Sequence, residues 1–196
     1  MNFFKKLFNN YKETKRNQEI KEQDVNLSLD DSFVHNFINK GGKFLYCTTM
    51  DEVIIHLKNI IQENNWQEVI CTDIDLLKIS KKTTIVTNTS FNSELPFFTT
   101  CEHLIANDGD VLFTSNQLAS NKLNSFSNDF VVYATTSQIV KNTGEGLTSI
   151  KRRFSGNLPT NISAVKNYKI KNNEESFMDY GNTNTKNMYL LLFEDL

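Results

Sequence analysis

Residues 101–115, CEHLIANDGDVLFTS, limit the fold most tightly, because they are apolar on both sides of a polar turn. Asp108-Gly109 is a two-residue hairpin signal: a type I′ turn needs positive φ at both central positions, which glycine adopts freely and aspartate tolerates. With Asn107 paired to Asp110, Ile105 lies opposite Leu112 on one face. On the other face Leu104 lies opposite Phe113 and Ala106 opposite Val111. Both faces are apolar, so the pattern predicts a hairpin in the middle of a layered domain. Each side is then covered, and only the polar tip meets solvent or a ligand.

The rest of the chain reads as alternating helices and strands, which predicts an α/β fold: a layered sheet with helices on both faces. Asp31 or Ser32 can cap a helix bearing Phe33, Val34, Phe37 and Ile38, which ends at Gly41-Gly42. A strand over 43–47 follows. Thr49-Met50-Asp51-Glu52 is a capping box opening a helix with Val53, Ile54, Leu57, Ile60 and Ile61 on one face. Strands are expected over 68–72, 83–87 and 130–134, with a short helical piece around Leu76-Leu77. A helix then places Leu147, Ile150 and Phe154 on one face, with Lys151, Arg152 and Arg153 beside it. The wholly apolar run at 188–193, MYLLLF, predicts a buried final strand.

Residues 1–22 carry Phe3, Phe4, Leu7, Phe8 and Tyr11 at helical spacing among Lys5, Lys6, Lys12, Lys15 and Arg16. This predicts a basic amphipathic helix that packs on its own domain or docks to a partner or membrane surface through residues 1–15. Residues 23–30 read as a linker, and 31–196 as the domain. The net charge of −2 gives no global reason to bind nucleic acid. The three cysteines, Cys47, Cys71 and Cys101, form no C-x-x-C pair, so no metal or cofactor of the chain's own is expected. No apolar run approaches the ~20 residues of a membrane span, and a cytoplasmic location is expected.

Cys101 and His103 share a face if extended, the arrangement of a thiolate–imidazole pair or two metal ligands. No third ligand has a recognisable spacing. Asn107, Asp108, Gly109 and Asp110 offer two carboxylates and an amide at the end of buried strands, which suits a ligand site or simply a turn. Glu102 begins the first strand of the hairpin and is a further carboxylate candidate.

HLIANDGDVLFTS at 103–115, FVVYATTSQIV at 130–140, and Gly181 followed by Lys186 and the apolar strand 188–193 resemble the LUD-domain family (lactate utilisation, LutC/YkgG-like). The resemblance covers residues 33–196. It implies a fold similar to the sugar-phosphate isomerase and CoA-transferase superfamily. It also implies an accessory role beside iron–sulfur and flavin-like subunits that oxidise L-lactate to pyruvate. The site it implies is bordered by Asn107, Asp108, Gly109, Asp110, Lys122, Gly181 and Lys186, and would take a small anion. The sequence departs from the family at that site. Asn107-Asp108-Gly109 stands where the family has Glu-Thr-Gly. Lys122 stands where it has an arginine. Ser163-Ala164-Val165-Lys166 replaces a Gly-Pro-Ser loop whose backbone amides could approach an anion. Two other classes stay open: a small-molecule enzyme of the CoA-transferase or sugar-phosphate isomerase type using Asp108, Asp110 or Glu102 as acid–base groups, and a partner- or membrane-docking module.

Overall fold

The computed structural model describes residues 27–168 and 184–195. The helix expected over 1–22, residues 23–26 of the linker and Gly181 lie outside them. Helix α1, Leu29–Asn39, begins one turn before the expected cap. Ser28 rather than Asp31 or Ser32 caps it, its hydroxyl accepting from the Asp31 amide at 3.2 Å and donating to the Asp31 carboxylate at 2.7 Å. Phe33, Val34 and Phe37 are buried, whereas Ile38 is exposed. Gly41, at φ +92°, ends the helix as anticipated. Strand β1 is Lys43–Cys47, and α2, Met50–Glu63, opens on the complete Thr49/Glu52 capping box with all five expected apolar residues buried. Then come β2, Glu68–Ile70, α3, Ile74–Ser80, and β3, Val86–Asn88. β3 starts later than expected because Thr83 closes α3, bonding the Ser80 carbonyl.

Strand β4, Phe97–Thr100, has no sequence expectation behind it: four nearly all-buried residues show no alternation. It pairs in parallel with β7, Asp129–Thr135, which in turn pairs with the final strand, the last of the six in the large sheet. That strand, β10 (Asn187–Phe193), lies between β7 and β1 in a sheet ordered β1-β10-β7-β4-β2-β3, with every pairing parallel. Central placement explains MYLLLF. Met188, Leu190 and Leu192 join one core with Phe97, Phe130 and Val132, while Tyr189 and Leu191 join the other with Val131 and the apolar face of α2.

The hairpin consists of β5, His103–Ile105, and β6, Asp110–Phe113, inside a second sheet ordered β8-β5-β6-β9. Its partners are β8, Ile139–Val140, and β9, Ser163–Val165. The register differs from the expected one by two positions: Leu104 pairs with Val111 and Ile105 with Asp110. The Asp108-Gly109 turn gives way to a four-residue connection, because the backbone of Ala106 and Asn107 is engaged elsewhere. Their amides donate to the Val140 and Lys141 carbonyls, and Asn36 Nδ2 donates to both of their carbonyls. A slip of two keeps every side chain on its face. Leu104, Ala106, Val111 and Phe113 enter the core shared with the large sheet, and Ile105 and Leu112 face helix α5, Thr143–Arg153. The hairpin is thus covered on both sides.

One further expectation is corrected. Ile139 and Val140 form β8, and Asn142 caps the helix that follows, α5. Its buried residues are Gly146 and Ile150, with Leu147 exposed, because α5 approaches closely enough that a Cβ on Gly146 would lie 3.1 Å from Leu112 Cδ1. No described helix is long and apolar enough to cross a membrane.

Candidate functional site

A parallel sheet has two unlike edges, and ligands of open α/β sheets bind beyond the carboxyl ends of the strands. The hairpin tip lies at the opposite, amino-terminal edge. There Asp110 pairs with Lys40, just before β1, at 2.8 Å, and Tyr168 donates to the Gly109 carbonyl at 2.6 Å. Gly109, at φ +67°, fits against α1 so closely that a Cβ would lie 2.5 Å from the Phe37 amide nitrogen. Asn107 and Asp108 are exposed, as is Lys122 on the connection into β7. Lys186 is buried just before β10; its ammonium donates to the Phe126 and Ser127 carbonyls at 2.9 and 2.8 Å and lies over the Phe130 ring. Burial lowers its pKa to about 8, against an opposing pull from Asp129. Asp110 and Lys186 therefore each meet partners from their own chain, and not one another.

The carboxyl-terminal edge gathers a different set. Two residues beyond β4, Glu102 is 2% exposed. Its Oε1 accepts from Thr114 Oγ1 at 2.9 Å, Asn116 Nδ2 at 2.7 Å and Gln117 Nε2 at 3.2 Å, and its Oε2 from Arg153 at 3.3 Å. Local sequence explains the first three donors. Thr114 and Gln117 form the capping box of helix α4, Ser115–Leu118, which turns the chain back over Glu102 directly after β6. That T-x-x-Q pattern is the local sequence signal that could have pointed to the cradle. Arg153 arrives from the last turn of α5, 51 residues on, and nothing in the sequence signals the pairing. Its side chain is half exposed.

Gln138 fixes the backbone beneath this carboxylate, donating to the Cys101 carbonyl at 2.6 Å while its own Oε1 accepts from the Thr135 amide. His103 is buried, with Nδ1 against the Gln138 carbonyl at 3.2 Å, and Nε2 has no partner among the described residues. Burial lowers its pKa, as does Arg153, while the Gln138 contact and Glu102 oppose the shift. Cys101 joins the core cluster with Leu104, and burial pushes its thiol up, so it is poorly suited to act as a thiolate nucleophile. Burial likewise pushes Cys47 and Cys71 up to about 12. Among the described residues no group of three His, Cys, Asp or Glu could hold a metal ion.

Two depressions border the Glu102 cradle. One, of about 380 Å³, is lined by Thr72, Asp73, Thr99 and Thr100 at the ends of β2 and β4, and by Asn116 and Gln117. The other is a shallow, solvent-open face of α5 that runs past Thr148, Ser149, Arg152 and Arg153. Each carboxylate oxygen is thereby linked through its donors to one depression. Chemically, the arrangement offers a fixed hydrogen-bond acceptor beside a guanidinium that still faces solvent.

No protein-family model matches the sequence, and no curated protein gives a significant match. A solved structure, a DUF162 family protein from Deinococcus radiodurans, is similar in fold, with a TM-score of 0.59 and 10% sequence identity over 86% of this chain and 99% of that one. At that identity the likeness establishes the layered α/β fold that both chains share.

Proposed function

We propose that this chain is a LUD-type protein that binds a small hydroxy or keto acid beside Glu102 and Arg153, acting as a cytoplasmic accessory subunit in L-lactate oxidation. DUF162 is the LUD domain, so the fold likeness supports the family that the sequence resembles. The observation that carries the site is the Glu102–Arg153 pair. A guanidinium has five N–H donors, and among the described residues Arg153 uses one of them, on Glu102, leaving a fork suited to a ligand carboxylate. Electron transfer then falls to partner subunits with iron–sulfur or flavin groups.

The test is calorimetric titration of the full chain with L-lactate and pyruvate, repeated with Arg153→Gln. Saturable binding that the variant loses supports the reading; absence of binding to the wild type refutes it. A second reading, an acid–base enzyme using Glu102, is favoured by the bare Nε2 of His103 beside it. Turnover of a hydroxy acid abolished by Glu102→Gln without loss of binding would establish that reading instead.

A further inference from the structure

Helix α5 is docked on the second sheet over a side chain that can take up a proton. In β5 Leu104 enters the core shared with the large sheet, so its neighbours His103 and Ile105 point to the opposite face. That face is the one α5 covers: a Cβ on Gly146 would lie 3.1 Å from Leu112, which pairs with His103, and 3.4 Å from Ile105. His103 is 3% exposed. Its Nδ1 meets the Gln138 carbonyl at 3.2 Å, and a carbonyl only accepts, so the proton of the neutral ring sits on Nδ1. Nε2 is left as a buried lone pair with no donor among the described residues. A proton added there creates a second N–H and a full charge, both shut away from water.

The charged groups that face the ring are Arg153, from the last turn of α5, and Glu102, just before β5. β6 presents Leu112 and the turn before β8 presents the Gln138 carbonyl, neither of them charged. The guanidinium repels an imidazolium. Glu102 attracts it, but both of its oxygens already accept from other donors. We propose that protonation of His103 undocks the last turn of α5 from the second sheet and so withdraws Arg153 from Glu102. The opened ring then reaches water, which satisfies both N–H groups and the charge. Burial keeps the docked ring neutral to lower pH than a free histidine, with Arg153 adding to the effect and the Gln138 contact and Glu102 opposing it. Docking is therefore at full strength above the ordinary histidine value of 6.5 and weakens as pH falls below it. The device belongs to the fold and holds whether or not a small acid binds beside Glu102.

Amide hydrogen exchange of the full chain, with protection corrected for the intrinsic pH dependence of exchange, reads this opening between about pH 7.5 and about pH 5. Helix α2, packed on the large sheet, is the internal control. An undocked ring is about 1.5 pH units into its charged range at the lower pH, so protection of the amides of residues 150–154 falls by up to about 30-fold in the wild type, while α2 changes by less than about threefold. In His103→Gln, whose side-chain amide can still donate to the Gln138 carbonyl but takes up no proton, the fall in α5 disappears. A fall under about threefold in wild-type α5 overturns the proposal, as does an equal fall in α2 or a fall that His103→Gln retains. Should His103→Gln not fold, the wild-type profile decides: loss of α5 protection must set in near pH 6.5 with one proton taken up per opening, and onset below about pH 5, where carboxylates titrate, overturns the proposal.

Discussion

Replacing Glu102 separates the energy of its cradle from the energy of its ion pair. In Glu102→Ala the Thr114 hydroxyl, fully buried, loses its acceptor. An orphaned buried donor costs ~1–3 kcal/mol, and Gln117 Oε1, 3.3 Å away, offers a substitute that keeps this cost near the low end. Asn116 is exposed and Gln117 half-buried, so both can turn to water at little cost. Arg153 is half exposed, and its pair is screened to a fraction of 1 kcal/mol, or about what a surface ion pair contributes. The buried Cγ methylene adds ~0.8 kcal/mol of lost packing, partly offset by relief from holding a carboxylate out of water. The sum is about 1.5 kcal/mol, or ~3–6 °C in melting temperature for a chain of this size.

Glu102→Gln keeps the methylenes and a carbonyl oxygen for the three donors, and gives up only the screened pair. It costs less than about 1 kcal/mol. Urea unfolding of both variants and the wild type, compared at a common m-value, measures the difference. If Glu102→Gln destabilises as much as Glu102→Ala, the energy resides in the Arg153 pair and the ranking of the cradle above it is wrong. If both variants are more stable than the wild type, the carboxylate is held against the preference of the fold, and the same reasoning fails in the opposite direction.

Four other outcomes follow from the structure. Gly109→Ala costs more than about 2 kcal/mol, through positive φ and the clash with α1 backbone; a loss under ~0.5 kcal/mol in urea unfolding would contradict the observed register. Between pH about 8 and 10.5 unfolded Lys186 keeps a proton that the folded chain releases, so wild-type stability rises across that window relative to Lys186→Met; urea midpoints at the two ends check it. Burial works against an ionised Asp195, but bonds from Ser137 and Thr136 outweigh it and hold its pKa well below 3.8. Its contribution is therefore full above 3.8 and lost as pH falls further, and the melting gap between wild type and Asp195→Asn closes in acid. Truncation after Lys186 removes the strand between β1 and β7 and abolishes cooperative thermal unfolding.

The parts of the fold that are legible in the sequence are those whose cause is local. The Thr49/Glu52 box and the five apolar residues behind it specify α2 within one stretch. Six apolar residues without alternation specify a strand covered on both faces, and β10 is one. The hairpin's faces are legible but its register is not, because the Asn107 carbonyl and amide that a tight turn would use are taken by Asn36, some 70 residues upstream, and by the Lys141 carbonyl. Strand β4 is too short and too uniformly buried to show a period. Half of the Glu102 cradle is local, carried by Thr114 and Gln117, and the other half arrives with Arg153 from α5. Which sheet edge each residue occupies depends on strand direction and order, and these follow only from the assembled sheet.

The two edges differ in what a ligand would have to displace. At the hairpin tip a ligand for Asp110 must break its 2.8 Å pair with Lys40, and one for Lys186 must take a buried ammonium from two carbonyls. Each exchange leaves a group without its partner, at ~1–3 kcal/mol, and a small acid has few atoms with which to repay that cost. At the carboxyl-terminal edge the group to be displaced is one 3.3 Å contact from a half-exposed arginine whose remaining donors meet no hydrogen-bond acceptor among the described residues. The charges at the hairpin tip therefore belong to the architecture, tying α1 and the β7–β10 crossing to the sheet. Those around Glu102 are the ones the fold can lend to a ligand.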